Sequence, residues 1–321
     1  MSDSVDHRDG QSQDADSIDE VCLITISYKG DFDLAGELCT SIDRFAAPGI
    51  EHVLVVPRSD ISRFARLEAP NRRVVAVEDV LQNGYYRLPT PSRIDVGRLY
   101  RRRIREVWRG PSGLIRGWIV QQIVKLSAPA ITERQVIVFA DSDIVLVRPL
   151  SAGMFVDLAS GVRLYRVPGA TSDSAMHREW HKASARLLGL PRTDYFGADY
   201  IGNLITWRRD VILQLHDQLE NVGKDRWDKI IGRERVFSEY ILYGIFAEHI
   251  LDLHMCGHLP TSQDLVHAGW HYSLNTPSGL SDFVSSIRSN HVAVAIQSTE
   301  GFTIDQRRQL IRQIVEPRSQ G

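Results

Sequence analysis

The feature that most constrains the fold is an alternation of apolar, strand-like runs with amphipathic, helix-like segments. The runs 21–28, 51–60 and 72–81 are rich in Val, Ile and Leu, and short helical patterns separate them. A fourth apolar run, 135–147, follows the segment GWIVQQIVKLSA, which has helical periodicity. Strands that alternate with helices favour a parallel sheet with right-handed crossovers. The sequence therefore predicts an α/β, Rossmann-like fold with a mostly parallel sheet flanked by helices.

The chain length of 321 residues, 43% of them hydrophobic, is enough for one large core. Residues 1–18 are rich in acids and poor in large apolar side chains, so we expect a disordered acidic tail. No repeat or proline-rich linker divides the rest, and 19–321 is predicted to be a single elaborated domain. The first four strands lie before residue 150, which makes 19–150 the predicted nucleotide-binding half.

Charge and cysteine content exclude several classes of protein. The formal net charge is -2, and because residues 1–20 carry -6, the rest carries only +4. This excess is too small for a nucleic-acid-binding surface, but it suits an anionic small molecule. The three cysteines are too few for a disulfide framework, and no stretch is apolar enough to span a bilayer. We therefore expect a cytoplasmic protein without a signal peptide.

The strongest local motif is Asp141-Ser142-Asp143, at the end of the apolar run VIVFA. Residues i and i+2 of an extended chain point to the same side, so both carboxylates can face one site. Two adjacent anions repel each other unless a cation lies between them. Mg²⁺ is typically held by one or two carboxylates together with phosphate oxygens. The motif predicts metal–diphosphate binding, and the alternative is a structural pair of carboxylates at a strand end.

Residues 87–116 stand out because they contain nine arginines and only two acids. Apolar residues within this segment suggest one face of a helix: Val96, Leu99, Tyr100, Ile104, Val107 and Trp108. Three interpretations stay open. The arginines could form a solvated face, they could meet phosphates or an anionic acceptor over the site, or they could attach the protein to anionic lipid at the inner face of the membrane.

Taken together, these features resemble the GT-A-fold glycosyltransferases that carry an Asp-x-Asp motif. Four blocks in the same order are similar to a bacterial family of glycosyltransferase-like proteins: GWIVQQIVKL, DYIGNLITWRRD, FSEYILYG and HVAVAIQS. The resemblance covers roughly residues 20–300. It implies transfer of a sugar, of the hexosyltransferase kind, from a nucleotide-diphosphate sugar to an acceptor hydroxyl. UDP is the nucleotide by analogy, and 151–321 becomes the acceptor-binding half.

The same resemblance implies a metal site and a donor site. Asp141 and Asp143 would hold Mn²⁺ or Mg²⁺ on the donor diphosphate, and His291 would complete the metal shell. The nucleotide would lie at the carboxyl ends of the first strands and beside the motif. Residues with this expected role are Ser27, Tyr28, Pro57, Glu78, Asp79 and Ser142. The alternative for each strand-end residue is an ordinary strand-to-loop position.

One helix face is a further candidate for donor binding. Trp118, Gln122 and Lys125 fall at i, i+4 and i+7 of the helix before the motif, so they share a face. Lysine and glutamine there could bind donor phosphate and sugar hydroxyls, and Lys125 could stabilise charge on the leaving diphosphate. The alternative is a set of solvated polar residues on a helix surface.

Three positions in the second half are candidates for catalysis and acceptor binding. Glu239 follows the helix-capping residue Ser238, and the resemblance implies a catalytic base or an acceptor ligand there. The next residue, Tyr240, is a candidate for substrate binding. The alternative for Glu239 is a carboxylate that only favours the helix start. Asp199 and Asn203, in the DYIGN block, could bind sugar or acceptor hydroxyls.

Two other functions compete with glycosyl transfer. FADSDIV also fits a phosphohydrolase in which Asp141 is the nucleophile, although such enzymes usually carry the motif on their first strand. A non-catalytic nucleotide- or sugar-binding protein of the same fold is the other alternative. Metal-dependent release of nucleotide from a nucleotide-sugar would separate glycosyl transfer from both alternatives.

Overall fold

The structure is a computed structural model and describes residues 21–81, 84–89, 93–96, 100–103, 106–157, 161–297 and 302–316. The predicted acidic tail, 1–18, lies outside the described residues. Elements of the first half are β1 (Val21–Ile26), α1 (Phe32–Phe45), β2 (Glu51–Val56), α2 (Ile61–Phe64), β3 (Arg72–Ala76), α3 (Val77–Val80), β4 (Tyr86–Arg87), β5 (Arg93–Val96), β6 (Tyr100–Arg103), β7 (Val107–Gly110), β8 (Gly113–Arg116), α4 (Gly117–Leu126), β9 (Val136–Phe139) and β10 (Ile144–Leu146).

The second half has shorter strands between longer helices. Its elements are β11 (Val156–Asp157), β12 (Gly161–Tyr165), β13 (Val167–Pro168), α5 (Ala175–Leu188), β14 (Ala198–Asp199), β15 (Ile205–Arg208), α6 (Arg209–Gly223), α7 (Trp227–Gly232), α8 (Glu239–Phe246), β16 (His258–Thr261), β17 (Val266–Ala268), α9 (Pro277–Ser285), β18 (Ala293–Ala295) and α10 (Ile304–Val315). None of the helices in these described stretches is both long and apolar enough to cross a bilayer.

The central sheet has five strands in the order β15-β9-β1-β2-β3. The four strands β9, β1, β2 and β3 run parallel to one another, and β15 runs antiparallel to β9. Helices flank this sheet, and the whole is a mixed α/β domain. The predicted fold class, a mostly parallel sheet flanked by helices in one domain, is confirmed.

The central strands are apolar along their whole length because both faces of the sheet are covered. Successive residues of β1 alternate between the two sides: Cys22 and Ile24 join one buried cluster, and Val21 and Leu23 join another. Every residue of β9 is buried. This is why the strands read as continuous β-branched runs rather than as alternating polar and apolar residues.

The helix predicted from the apolar stripe in the arginine-rich segment is wrong where the structure describes it. Two antiparallel strand pairs, β5–β6 and β7–β8, occupy the segment, while Leu99 and Ile104 lie outside the described residues. Trp108 pairs with Ile115, and both are buried, whereas the neighbouring pair Arg109 and Leu114 is exposed. Burial along these strands therefore alternates with a period of two residues, as in a strand, and does not follow the helical period.

Shorter corrections concern two predicted strands. The run 72–81 ends as a strand at Ala76 and continues as the helical turn α3, so Glu78 and Asp79 lie on that turn. The predicted strand 200–208 begins only at Ile205. Leu204, just before it, has a φ of 50°, a left-handed conformation that ends the extended chain on that side.

We expect Gly244→Ala to destabilise the protein by about 1–3 kcal/mol, because a Cβ at position 244 of α8 would overlap the ring of Tyr200. Tyr200 is 1% exposed and its hydroxyl donates to Glu248 at 2.6 Å, so the ring cannot easily move away. Urea denaturation measures the loss. The control is Gly153→Ala, where the added Cβ meets nothing within 4 Å; equal stability of the two variants would contradict the packing argument.

Acid should destabilise the fold through His52, which is fully buried in β2 and has its pKa lowered to about 3 by burial and by Arg72. The unfolded chain binds a proton near pH 6.5 but the folded chain does not, so stability falls as pH drops from about 6.5 towards 3. Between pH 6.5 and pH 5, the free energy of unfolding should fall by about 2 kcal/mol through this one group. His52→Gln should reduce that pH dependence in urea denaturation, with the exposed His254→Gln as control; an unchanged slope for His52→Gln would refute the linkage.

Candidate functional site

The site is built around the carboxyl end of β9, in the interior of the central sheet. Asp141, with 59% of its side chain exposed, and the partly buried Asp143 lie in the turn between β9 and β10. Burial and the charge of Asp141 raise the pKa of Asp143 to about 6, and Arg307 opposes the shift. A carboxylate pair with this repulsion favours a bound cation.

A buried cation faces this pair from α4. Nζ of Lys125 lies 3.9 Å from Oδ1 of Asp141 and 3.0 Å from Oε1 of Glu239, and it donates to the hydroxyl of Tyr240 at 2.7 Å. Although burial opposes its charge, Glu239, Tyr240 and Asp141 raise the pKa of Lys125 well above its ordinary value. Lys125 is therefore a fixed positive charge beside the motif. Lys125, Asp141, Glu239 and Tyr240 are four of the predicted site residues, and the structure brings them together.

Gln122 joins α4 to the first turn of α8. Its Oε1 accepts a hydrogen bond from the backbone N–H of Glu239 at 3.0 Å. Its Nε2 is buried and has no hydrogen-bond partner among the described residues. Buried donors are nearly always paired in native proteins, so this amide is a candidate for contact with a ligand. The third member of the predicted face, Trp118, lies at the start of α4 and is 44% exposed.

The predicted nucleotide residues follow the neighbouring strands of the sheet. Ser142 donates to the hydroxyl of Ser27 at 3.2 Å, which connects the motif to the end of β1, where Tyr28 follows. Pro57 follows β2. The next residue, Arg58, contacts α3: its backbone N–H donates to Glu78 at 2.8 Å, and its guanidinium pairs with Asp79. Glu78 and Asp79 thus fix a loop at the sheet edge.

Asp199 and Asn203 precede β15, the strand that lies beside β9 on the side opposite to β1. Ile205, the first residue of β15, pairs with Phe139, and Asn203 lies two residues before that strand. The Nδ2 of Asn203 is buried and has no hydrogen-bond partner among the described residues. Asp199 is buried in β14, where its Oδ1 accepts from the backbone N–H of Tyr200 at 2.8 Å.

The expectation that His291 completes the metal shell is corrected by the register of β10 and β18. Ile144 pairs with Ala295, and the N–H of Ile296 donates to the carbonyl of Asp143 at 3.2 Å. His291 lies at the other end of β18, about 16 Å away along an extended chain. Its Nδ1 accepts from the N–H of Arg288 at 3.0 Å, and its ring stacks on His267. Antiparallel pairing has turned the histidine away from the motif.

The sequence analysis missed Arg307, a buried residue of α10 whose side chain is 3% exposed. Its guanidinium donates to the carbonyl of Asp143 at 2.6 Å, to Glu37 of α1 at 2.8 Å, and to the carbonyl of Ile296. These bonds hold the turn that carries the motif. On an amphipathic C-terminal helix with several arginines, nothing local marks this one as buried.

The two carboxylates fit a divalent cation that is shared with a ligand. In the described part of the chain, no group of three or more His, Cys, Asp or Glu side chains is arranged to hold a metal alone. Mg²⁺ commonly keeps only one or two protein carboxylates and takes the rest of its oxygens from phosphates and water. Asp141 and Asp143 suit that mode of binding, because a cation between them would relieve the repulsion that raises the pKa of Asp143.

The fold and the site define an α/β protein in which two carboxylates and a lysine meet at the carboxyl end of a central strand. The chain belongs to a family of unknown function (DUF6492), matching its profile over residues 17–316. No curated protein matches the chain.

Among solved structures, the chain is similar to the apo structure of WbbM, a bifunctional glycosyltransferase. The sequence identity is 13% and the TM-score is 0.46, over 91% of this chain and 50% of that one. The chain thus spans half the length of that structure.

Proposed function

We propose that the protein is a metal-dependent glycosyltransferase that moves a sugar from a nucleotide-diphosphate sugar, with UDP as nucleotide, to an acceptor hydroxyl. One observation carries the proposal. Asp141 and Asp143 end a buried central strand, and the buried ammonium of Lys125 lies 3.9 Å from Asp141. The carboxyl edge of a parallel sheet is where such folds bind nucleotides.

The charges at this edge suit a diphosphate leaving group. Mn²⁺ or Mg²⁺ held by Asp141 and Asp143 would neutralise negative charge on the diphosphate oxygens. Lys125 adds a second positive charge that is already fixed by Glu239 and Tyr240. Because negative charge grows on the diphosphate as the glycosidic bond breaks, a fixed cation stabilises the transition state more than the ground state.

The bonds that change are then defined. The acceptor oxygen forms a bond to the anomeric carbon, and the bond from that carbon to the β-phosphate oxygen breaks, leaving its electron pair on the nucleoside diphosphate. In an inverting reaction the hydroxyl proton passes to Glu239. Glu239 is buried, its Oε1 bonded to Lys125 and its N–H bonded to Gln122, so its position at the start of α8 is tightly held.

The strand order supports an assignment of the two substrates to different sides of β9. β1, β2 and β3 lie on one side of β9, and β15 lies on the other. We assign the nucleoside to the first side, next to Ser27, Tyr28 and Pro57. The acceptor then lies on the second side, next to Asn203.

The test is a thermal-shift screen of nucleotide-sugars with Mn²⁺ and with EDTA, followed by an assay for release of nucleoside diphosphate. We expect one donor to raise the melting temperature only with the metal, and to be hydrolysed slowly in the absence of acceptor. Release of inorganic phosphate from phosphomonoesters would support the phosphohydrolase instead. Metal-independent binding without turnover would indicate a binding protein, and either result would overturn the proposal.

A further inference from the structure

A surface of aromatic rings lies at the start of α4, outside the charged centre. The ring of Trp118, 44% exposed, lies 6.3 Å from the ring of Trp180 on α5. The imidazole of His177, one turn earlier on α5, lies 4.6 Å from Trp180. We call these three residues, together with Thr171 and Asp199, the aromatic face. Trp180 packs partly against the core, and Trp118 extends this apolar surface into solvent; contiguous exposed apolar surface rimmed by polar groups is typical of binding sites.

Polar groups of the aromatic face are held by a buried carboxylate. Oδ2 of Asp199 lies 3.3 Å from Nδ1 of His177 and accepts from the hydroxyl of Thr171 at 3.1 Å. Asp199 itself is 6% exposed, and its other oxygen is bonded to two backbone N–H groups. The carboxylate thus bonds to the hydroxyl of Thr171 and lies within ion-pair distance of the imidazole, whose Nδ1 has no hydrogen-bond partner among the described residues.

The loop before α5 is held in a strained conformation. Thr171 has a φ of 61°, which is unusual for a β-branched residue. The hydroxyl of Tyr195 donates to the carbonyl of Ala170 at 2.5 Å, and Asp199 holds the side chain of Thr171. Strain of this kind persists where surrounding contacts impose it, commonly at binding sites.

The position of the aromatic face fits a substrate that reaches the reacting centre. Trp118 and Lys125 are seven residues apart on α4, which is about 10 Å along the helix. Asp199 leads through the loop containing Asn203 into β15, on the opposite side of β9 from the strands assigned to the nucleoside. The aromatic face is therefore on the acceptor side.

We propose that the aromatic face is a subsite for a neutral saccharide unit of the acceptor. The inference rests on the proposed function and names its acceptor class. Sugar rings present C–H groups that can pack on the indole rings of Trp118 and Trp180, because the flat face of an indole ring carries negative charge density. Their hydroxyls can bond to His177 and Thr171, both of which lie beside the carboxylate of Asp199. This proposal assigns Trp118 to the acceptor site, whereas the sequence predicted it in the donor site.

The test is isothermal titration calorimetry of the full chain, with Mn²⁺ and UDP present, against neutral trisaccharides of gluco, galacto, manno and N-acetylglucosamine configuration. We expect at least one to bind. Trp118→Ala and Trp180→Ala should each weaken its Kd about tenfold, the loss of a stacked ring. Trp118→Phe keeps a ring and should retain most of the affinity.

The control is Met255→Ala, which removes an exposed apolar side chain at the opposite end of β15 and should leave saccharide affinity and donor hydrolysis unchanged. Saccharide binding that is the same in wild type and Trp118→Ala, or the absence of binding by every trisaccharide, would overturn the subsite. Donor hydrolysis by the wild type is measured separately. Its absence would sink the proposed function, whether or not a saccharide binds.

Discussion

Replacing Asp141 or Asp143 with asparagine should lower metal-dependent turnover of the donor at least about a hundredfold, a loss of roughly 3 kcal/mol or more of transition-state stabilisation. Each variant removes one of the two carboxylates that would hold the cation on the diphosphate. The fold should survive, because burial and Asp141 already raise the pKa of Asp143 to about 6 and the repulsion disappears. Nucleotide release and thermal melting measure the two effects.

The control for this pair is Asp217→Asn, an exposed acid on α6 that lies outside the site. It should match the wild type in both measurements. Near-normal turnover in either motif variant would show that the carboxylates do not hold a catalytic metal. A large fall in melting temperature without metal would show that they support the fold instead.

Lys125→Met should cost about 3–5 kcal/mol of stability, because it leaves the carboxylate of Glu239 buried without its cation. The two groups are 3.0 Å apart with side-chain exposures of 12% and 7%, so water replaces little of the lost interaction. Urea denaturation measures the loss. Turnover should fall as well, since the fixed charge beside Asp141 is removed.

A double-mutant cycle separates the pair from its surroundings. The double variant Lys125→Met/Glu239→Gln should be more stable than Lys125→Met alone, because the buried charge is gone. Lys182→Met is the matched control: Lys182 lies 3.0 Å from Glu179, but Glu179 is 60% exposed, so the expected loss is below about 1 kcal/mol. Similar losses for the two lysine variants would contradict the buried-pair interpretation.

The helix that carries Trp118, Gln122 and Lys125 shows how far sequence reasoning reaches. Their spacing correctly placed them on one helix, because helical periodicity is local. Their partners are not local. Gln122 and Lys125 meet Glu239, more than a hundred residues later in the chain, while Trp118 meets Trp180 on a different helix.

The two clearest errors have related causes. The apolar residues around Trp108 fit a helical stripe, but pairing of Trp108 with Ile115 makes the segment a strand. His291 was expected near the motif because it precedes an apolar strand, but antiparallel pairing of that strand with β10 put Ile296 there instead. In both cases hydrogen bonding between distant segments set the outcome, and a single sequence carries little information about such pairing.

By itself, the sequence determined the α/β class and the position of Asp141 and Asp143 at the end of a buried strand. Both follow from local rules: the length and apolarity of the runs, and the same-side geometry of residues i and i+2. Only the tertiary structure decided that Lys125 is buried against Glu239, that Arg307 holds the turn of Asp143, and that Trp118 faces Trp180. These contacts depend on how separate helices pack on the sheet, which is settled by the whole core rather than by any one segment.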